Sequence, residues 1–171
     1  GLEGTLGVAR AGAMWSPSVA RRIHSLLQRC RALVIELARA RQTLGLARRE
    51  ADLALRCARP QDGELIARRL GVVRFYLCGT AEQVAAWRRQ RGSAPVIGYD
   101  DSVPDIPETR WLAAHADGNP VRLRSASLVA QCMAARAGVG LALLPSYLLA
   151  PELQTVESTP QLVRELWAVF H

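Results

Sequence analysis

Two hydrophobic periods take turns along the chain. Residues 4–10, "GTLGVAR", form a short apolar run that reads as a strand. Ser16 then offers an N-cap and Pro17 a first helical residue, after which Val19, Ile23, Leu26, Leu27 and Cys30 recur at helical spacing and mark one face. "ALVIEL" at 32–37 is almost wholly apolar, rich in β-branched residues and too short for a helix, so it reads as a strand buried on both faces. A second helix is expected through Leu44, Leu46 and Ala47, and "ADLALR" at 51–56 gives a third strand. Helical crossovers between apolar strands are the pattern of a parallel sheet covered on both sides.

"ARPQDG" at 58–63 is a cluster of turn residues, and extended segments "LIARRL" and "VVRFYLC" follow on either side of Gly71. The alternation then restarts. Thr80 with Gln83 reads as a capping box before a helix carrying Val84 and Trp87 and closed by Gly92. "PVIGY" at 95–99 is a strand, Asp105 with Glu108 a second capping box, and Trp111 and Leu112 belong to the helix it opens. "VRLR" at 121–124 is another strand, feeding a helix within "SASLVAQCMAARAG".

"AARAGVGLALLP" at 134–145 has the glycines of a phosphate-gripping loop in the wrong order, because they follow a helix and precede a strand. Gly138 instead sits where a helix-ending glycine takes positive φ, and "VGLALL" continues as a buried strand stopped by Pro145. One helical turn ("SYLLA"), a short "LQTV" and an extended "LWAVFH" complete the chain. The economical reading is two α/β units in series.

Composition narrows the function classes. Half of the 171 residues are apolar, enough for a substantial core, and no run approaches the roughly 20 apolar residues of a membrane span. The first residues, "GLEGTLGVAR", lack the apolar core of a secretory signal, so a cytoplasmic location without membrane contact is expected. The formal charge is +7 and all 22 basic residues are arginine. They fall as pairs such as Arg21-Arg22, Arg48-Arg49 and Arg68-Arg69, with no basic run interleaved with aromatics and no helix-turn-helix, so the chain by itself is not expected to bind DNA. Cys30, Cys57, Cys78 and Cys132 are too scattered for a zinc site. No nucleophile elbow or H-E-x-x-H is present, and "YDDSVPD" at 99–105 reads as a solvated capping loop rather than a cation site. Neither catalysis, a metal nor a cofactor is expected.

The block "LARREADLALRCARPQDGELIARRLG" at 46–71 resembles the effector-binding domain of LysR-type transcriptional regulators. "GTLGVARAGAM", "RWLAAHADGNPVRLRS", "AARAGVGLALLP" and the terminal "RELWAVFH" follow in the family's order, so the likeness covers nearly the whole chain. The resemblance implies an α/β fold of the two-lobed, type 2 periplasmic-binding-protein kind, each lobe a mostly parallel sheet flanked by helices. Residues 1–74 would form lobe I, 75–163 lobe II, and 164–171 a strand returning toward lobe I, with the family's C-terminal helix absent. It implies an inducer sensor whose DNA-binding domain lies outside this chain. A free-standing solute-binding protein of similar architecture is the alternative. It also implies a homo-oligomer, a dimer or tetramer, in which the helix around 16–29 of one copy meets the helix 127–137 of another.

In that family the inducer lies at the C-terminal strand ends between the lobes, where open α/β sheets take ligands. The matching loops here are Arg10-Ala11-Gly12-Ala13 and Arg39-Ala40-Arg41, with Ala11 and Ala40 where the family commonly has hydroxyls. Ser125 and Ser127 open a helix whose free N–H groups favour an anion, and ordinary N-capping is the equally open, compatible reading of the two serines. Arg56 ends the third strand, and Tyr99 falls near the lobe junction. Several arginine forks at strand ends favour a small organic anion as effector.

Overall fold

A computed structural model describes residues 3–10, 17–39, 53–59, 61 and 66–170. In chain order the elements are β1 (Glu3–Arg10), α1 (Pro17–Arg29), β2 (Ala32–Arg39), β3 (Leu53–Arg56), β4 (Ile66–Gly79), α2 (Ala81–Arg89), β5 (Val96–Gly98), α3 (Pro107–His115), β6 (Val121–Arg124), α4 (Leu128–Arg136), β7 (Ala142–Pro145), β8 (Gln154–Thr155) and β9 (Leu162–Phe170). The chain divides into two compact units. Gly1–Val73 and Arg164–His171 form the first, and Arg74–Val163 the second.

In the first unit β1 pairs in parallel with β2 along its whole length, Glu3 opposite Ala32 through Arg10 opposite Arg39. It also pairs in parallel with β3, where Val8, Ala9 and Arg10 face Leu53, Ala54 and Leu55. This is the parallel arrangement that the helical crossovers predict. On the far side of β3 the chain returns antiparallel as β9, Arg56 opposite Trp167, and the Arg59 guanidinium stacks 5.6 Å from the Trp167 ring centre. Val8, Ala54, Val73, Ala168 and Val169 are buried apolar positions of this unit. Along α1 the expected face is the covered one: Val19, Ile23, Leu26, Leu27 and Cys30 are half-buried while the intervening residues are exposed.

One expectation fails here. "ALVIEL" is not buried on both faces: among the described residues β2 ends the sheet with β1 as its strand neighbour, and Val34 is 59% exposed. An apolar run reports hydrophobic content, and only the packing of further layers on the sheet decides whether each face is covered. The helix expected through Leu44 to Ala47, and Ser16 as the cap of α1, lie outside the described residues.

In the second unit the later part of β4 pairs antiparallel with β7, Phe75 opposite Pro145 through Cys78 opposite Ala142, and with β8 at Cys78 and Gly79. The segments on either side of Gly71 are a single strand rather than two. β5 lies parallel to β6, and Leu141 reaches it from the other side through Ile97 N–H to Leu141 O (2.7 Å) and Leu141 N–H to Pro95 O (2.8 Å). Leu77, Cys78, Ile97 and Leu141 to Leu144 are fully buried, each leucine removed from water contributing about 1.5–3 kcal/mol.

The helix-to-strand joint is as the sequence implies. Gly138 has φ of 83°, its N–H reaches Ala135 O (3.1 Å), and Val139 N–H reaches Ala134 O (3.0 Å), closing α4. Gly140 serves a different purpose. A Cβ there would lie 3.1 Å from the backbone of Pro95 and Val96, so its missing side chain lets the two segments touch.

Both expected capping boxes need correction. Thr80 Oγ1 does accept from Gln83 N–H, at 3.4 Å, but the Gln83 amide turns away and donates to Gly138 O. At α3 the capping residue is Ile106, not Asp105. Thr109 Oγ1 accepts from Ile106 N–H (3.0 Å) and donates to Ile106 O (2.8 Å), Pro107 takes the first helical position, and Asp105 pairs with Arg110 at 3.0 Å. The glycine expected to close α2 lies in a short turn of 3-10 helix beyond it, since Gln90 already ends the helix.

Candidate functional site

The expected site residues fall in both units. Arg10 and Arg39 are paired register partners at the carboxyl ends of β1 and β2. Arg10 is also paired with Leu55, so Arg56, the next residue, ends the neighbouring parallel strand. Three arginines thus close three adjacent parallel strands, the end of an α/β sheet where ligands are generally taken. Arg56 is half-buried. Ala11, Gly12, Ala13, Ala40 and Arg41 lie outside the described residues.

In the second unit Tyr99, Ser125 and Ser127 come together around the start of α4. Ser127 is its N-cap, with Oγ accepting from Ala130 N–H at 3.2 Å, and Ser125 Oγ accepts from Ser127 N–H at 3.0 Å. Each hydroxyl keeps its own proton to donate. Ser125 N–H is bonded to Gly98 O (3.0 Å), which ties the start of α4 to the end of β5.

Two residues join this cluster that the sequence did not single out as ligands. Asp100 Oδ2 accepts from Ala126 N–H at 2.9 Å, and Oδ1 accepts from the Ser102 N–H (2.9 Å) and hydroxyl. The Ser102 bonds, with that of Ala126, hold the Asp100 carboxyl below its ordinary range, so it is ionised at neutral pH. Gln131, one turn into α4 and fully buried, donates through Nε2 to Ser125 O (2.7 Å) and Gly98 O (3.4 Å), while its Oε1 has no hydrogen-bond partner. Two carbonyl oxygens fix which way the amide faces, because the flipped amide would set oxygen against oxygen. The available signal was a glutamine four residues after a capping serine, in a helix otherwise apolar up to its final Arg136.

Two surface depressions border this region. A groove of about 300 Å³ between α3 and the β5–β6 pair is lined by Ile97, Tyr99, Leu112, Ala116, Val121 and Arg124 among others. A shallower hollow of about 440 Å³ is lined by Tyr99, Asp100, Asp101, Asp105, Thr109 and Arg110 with their neighbours. Among the described residues no group of three or more His, Cys, Asp or Glu could hold a metal ion, and no helix is long and apolar enough to cross a membrane.

The architecture is that of a ligand-binding α/β domain of the two-lobed, type 2 periplasmic-binding-protein kind. Over 99% of this chain and 90% of that one, the fold matches the CrgA regulatory domain of Neisseria meningitidis with a TM-score of 0.79 at 22% identity. A sulfate-bound OxyR2 E204G regulatory domain from Vibrio vulnificus matches at a TM-score of 0.76 and 16% identity, over 99% of this chain and 87% of that one. Residues 1–171 match the LysR substrate binding domain, and the chain belongs to that family. It is a family of transcriptional regulators, not of enzymes. The Mau operon transcriptional activator of Paracoccus denitrificans is 31% identical over 120 residues, an alignment that takes in 68% of this chain and 39% of that protein. The match therefore spans well under half the length of that relative.

Proposed function

We propose that this domain senses a small organic anion on behalf of a LysR-type transcriptional regulator, and that DNA is contacted only by a helix-turn-helix domain outside these residues. The observation that carries the anionic reading is the row of Arg10, Arg39 and Arg56 at the carboxyl ends of three adjacent parallel strands. Guanidinium forks bind carboxylates bidentately, and arginines at the carboxyl ends of neighbouring strands are placed where such a ligand is taken. Arg41, Ala11, Gly12, Ala13 and Ala40 in the following loops, with Tyr99, Ser125 and Ser127, complete the proposed ligand set. The regulator works in the cytoplasm as a homo-oligomer, α1 of one copy against α4 of another. Exposed Val129 and Met133 on α4 support that pairing.

A thermal-shift screen of organic acids, followed by calorimetry on Arg56→Ala, tests the reading. A charge-assisted hydrogen bond is worth roughly 1.5–3 kcal/mol, so Arg56→Ala weakens the acid by about tenfold or more. Arg22→Ala, on the exposed side of α1, leaves affinity unchanged. Equal affinities in the two variants would refute the anionic assignment.

A further inference from the structure

Neither backbone conformation nor packing requires a glycine at position 98. Gly138 needs its positive φ, and a Cβ on Gly140 would lie 3.1 Å from backbone atoms, but Gly98 has no positive φ and its Cβ would meet only Val121 Cγ1 at 3.8 Å and Arg124 Cγ at 3.9 Å. Those are ordinary van der Waals contacts. A glycine inside a strand forgoes the β-branched side chain that would favour it, and it marks places where something else comes close to the backbone. Ile97, its neighbour in β5, packs with Cys132 and Ala135 of α4, so by strand alternation position 98 opens on the opposite face. On that face lies the groove of about 300 Å³, where Gly98 is lined up with Val121 of β6 and with Leu112 and Ala116 of α3. A side chain at 98 would occupy part of this space; glycine leaves it open.

Charge is the second, independent observation. Arg124 is the register partner of Gly98, lines the groove, and has no ion-pair partner among the described residues. It stands at the carboxyl end of the β5–β6 pair. Asp117, the other charged residue that lines the groove, belongs to the opposite end: Asn119 donates to Ala94 O (2.8 Å) and Val96 N–H to Pro120 O (2.9 Å), which holds that turn beside the start of β5. An apolar floor thus runs from a guanidinium at one end to a carboxylate at the other.

We propose that the groove between α3 and the β5–β6 pair is a ligand site in its own right, for a monocarboxylate with a short apolar chain. The carboxylate is held by the Arg124 guanidinium, whose planar fork accepts it bidentately. The chain lies over Gly98, against Val121, Leu112 and Ala116, and Asp117 disfavours a second acid at the far end. Every residue lining the groove falls within the second unit. The site goes beyond the effector reading above, which rests on the arginines that end β1, β2 and β3.

The test uses the 171-residue chain, isotope-labelled, with hexanoate, hexylammonium and adipate as probes, read from the backbone amide of Gly98 and the methyl groups of Val121 and Leu112. Hexanoate shifts these resonances saturably at millimolar concentration, hexylammonium does not, and adipate binds more weakly than hexanoate. Arg124→Gln weakens hexanoate by about tenfold, the loss of a charge-assisted hydrogen bond. Gly98→Val fills the floor and abolishes the shifts. Gly98→Ala, whose added methyl meets only ordinary contacts, keeps the native spectrum and weakens hexanoate, so the test stands even if the valine variant does not fold. Arg56→Ala leaves hexanoate binding at Gly98 unchanged. Hexylammonium or adipate binding as tightly as hexanoate, Arg124→Gln or Gly98→Ala binding like the parent, or no probe moving these resonances would each overturn the proposal. None of those results touches the reading that organic acids are sensed through Arg56, which fails on its own test.

Discussion

The two glycines of the α4–β7 joint have different physical reasons, and replacing each by alanine separates them. At Gly138 the backbone φ of 83° lies in the left-handed region, and the site is roomy, with Thr80 Cγ2 the nearest atom at 3.9 Å from where an alanine Cβ would sit. Alanine costs about 1–2 kcal/mol in that conformation and regains roughly 0.4–1 kcal/mol from a less flexible unfolded chain, a net loss near 1 kcal/mol. At Gly140 the obstacle is packing. A Cβ sits 3.1 Å from Pro95 O and 3.1 Å from Val96 C, backbone atoms held by the Leu141 N–H to Pro95 O bond, so β5 must shift. Overpacking of that kind costs about 1–3 kcal/mol. Gly92 is the control, exposed and with open space around its Cβ, where alanine stabilises by roughly 0.4–1 kcal/mol. At about 2–4 °C per kcal/mol for a chain of this size, thermal unfolding followed by circular dichroism gives Gly138→Ala a Tm lower by a few degrees. Gly140→Ala falls at least as far, and Gly92→Ala rises slightly. A Gly140→Ala protein as stable as the parent, or a Gly92→Ala protein less stable than Gly138→Ala, would refute this account of the joint.

Acid should act partly through Asp100. Its carboxyl is held below the value of about 3.9 expected in the unfolded chain, so its contribution is present above that pH and is lost as pH falls through the folded value. Thermal melts from pH 5 to pH 2 should therefore converge for wild type and Asp100→Asn, and parallel curves would show that the Ser102 and Ala126 bonds contribute nothing. The cysteines divide by burial. Burial, with a smaller contribution from Cys132, pushes the Cys78 thiol up to about 12, and Cys132 is also buried and raised, whereas Cys30 and Cys57 are half-buried. Alkylation by iodoacetamide at pH 8, read by mass spectrometry, should label Cys30 and Cys57 first, and Cys78 labelling as fast as Cys30 would contradict the placement.

Local rules were legible in the sequence. The face of α1, the Ser127 cap of α4, the extent of β6 and the positive φ of Gly138 all depend on residues within four positions of each other, and periodicity and capping chemistry act over that range. The row of arginines was half legible. Each could be placed at a strand end, but that Arg10 and Arg39 are direct register partners, with Arg56 beside them, followed from the strand order.

Tertiary structure decided the rest. Val34 is exposed on its face of β2, and no local pattern distinguishes a strand face that another layer covers from one left open when both are apolar. Asp105 has the spacing of a cap, yet an aspartate two residues before the helix can equally pair with an arginine one turn on, and Arg110 won. Asp100 reaches Ala126 across 26 positions, and Gln131 donates its amide protons to Gly98 and Ser125 from 33 and 6 positions away. Side chains that bridge separate elements leave no periodic trace, since their partners are chosen by how β5, β6 and α4 pack. The sequence by itself determined which segments were strands, helices and joints; packing alone decided which charges and amides would meet at the start of α4.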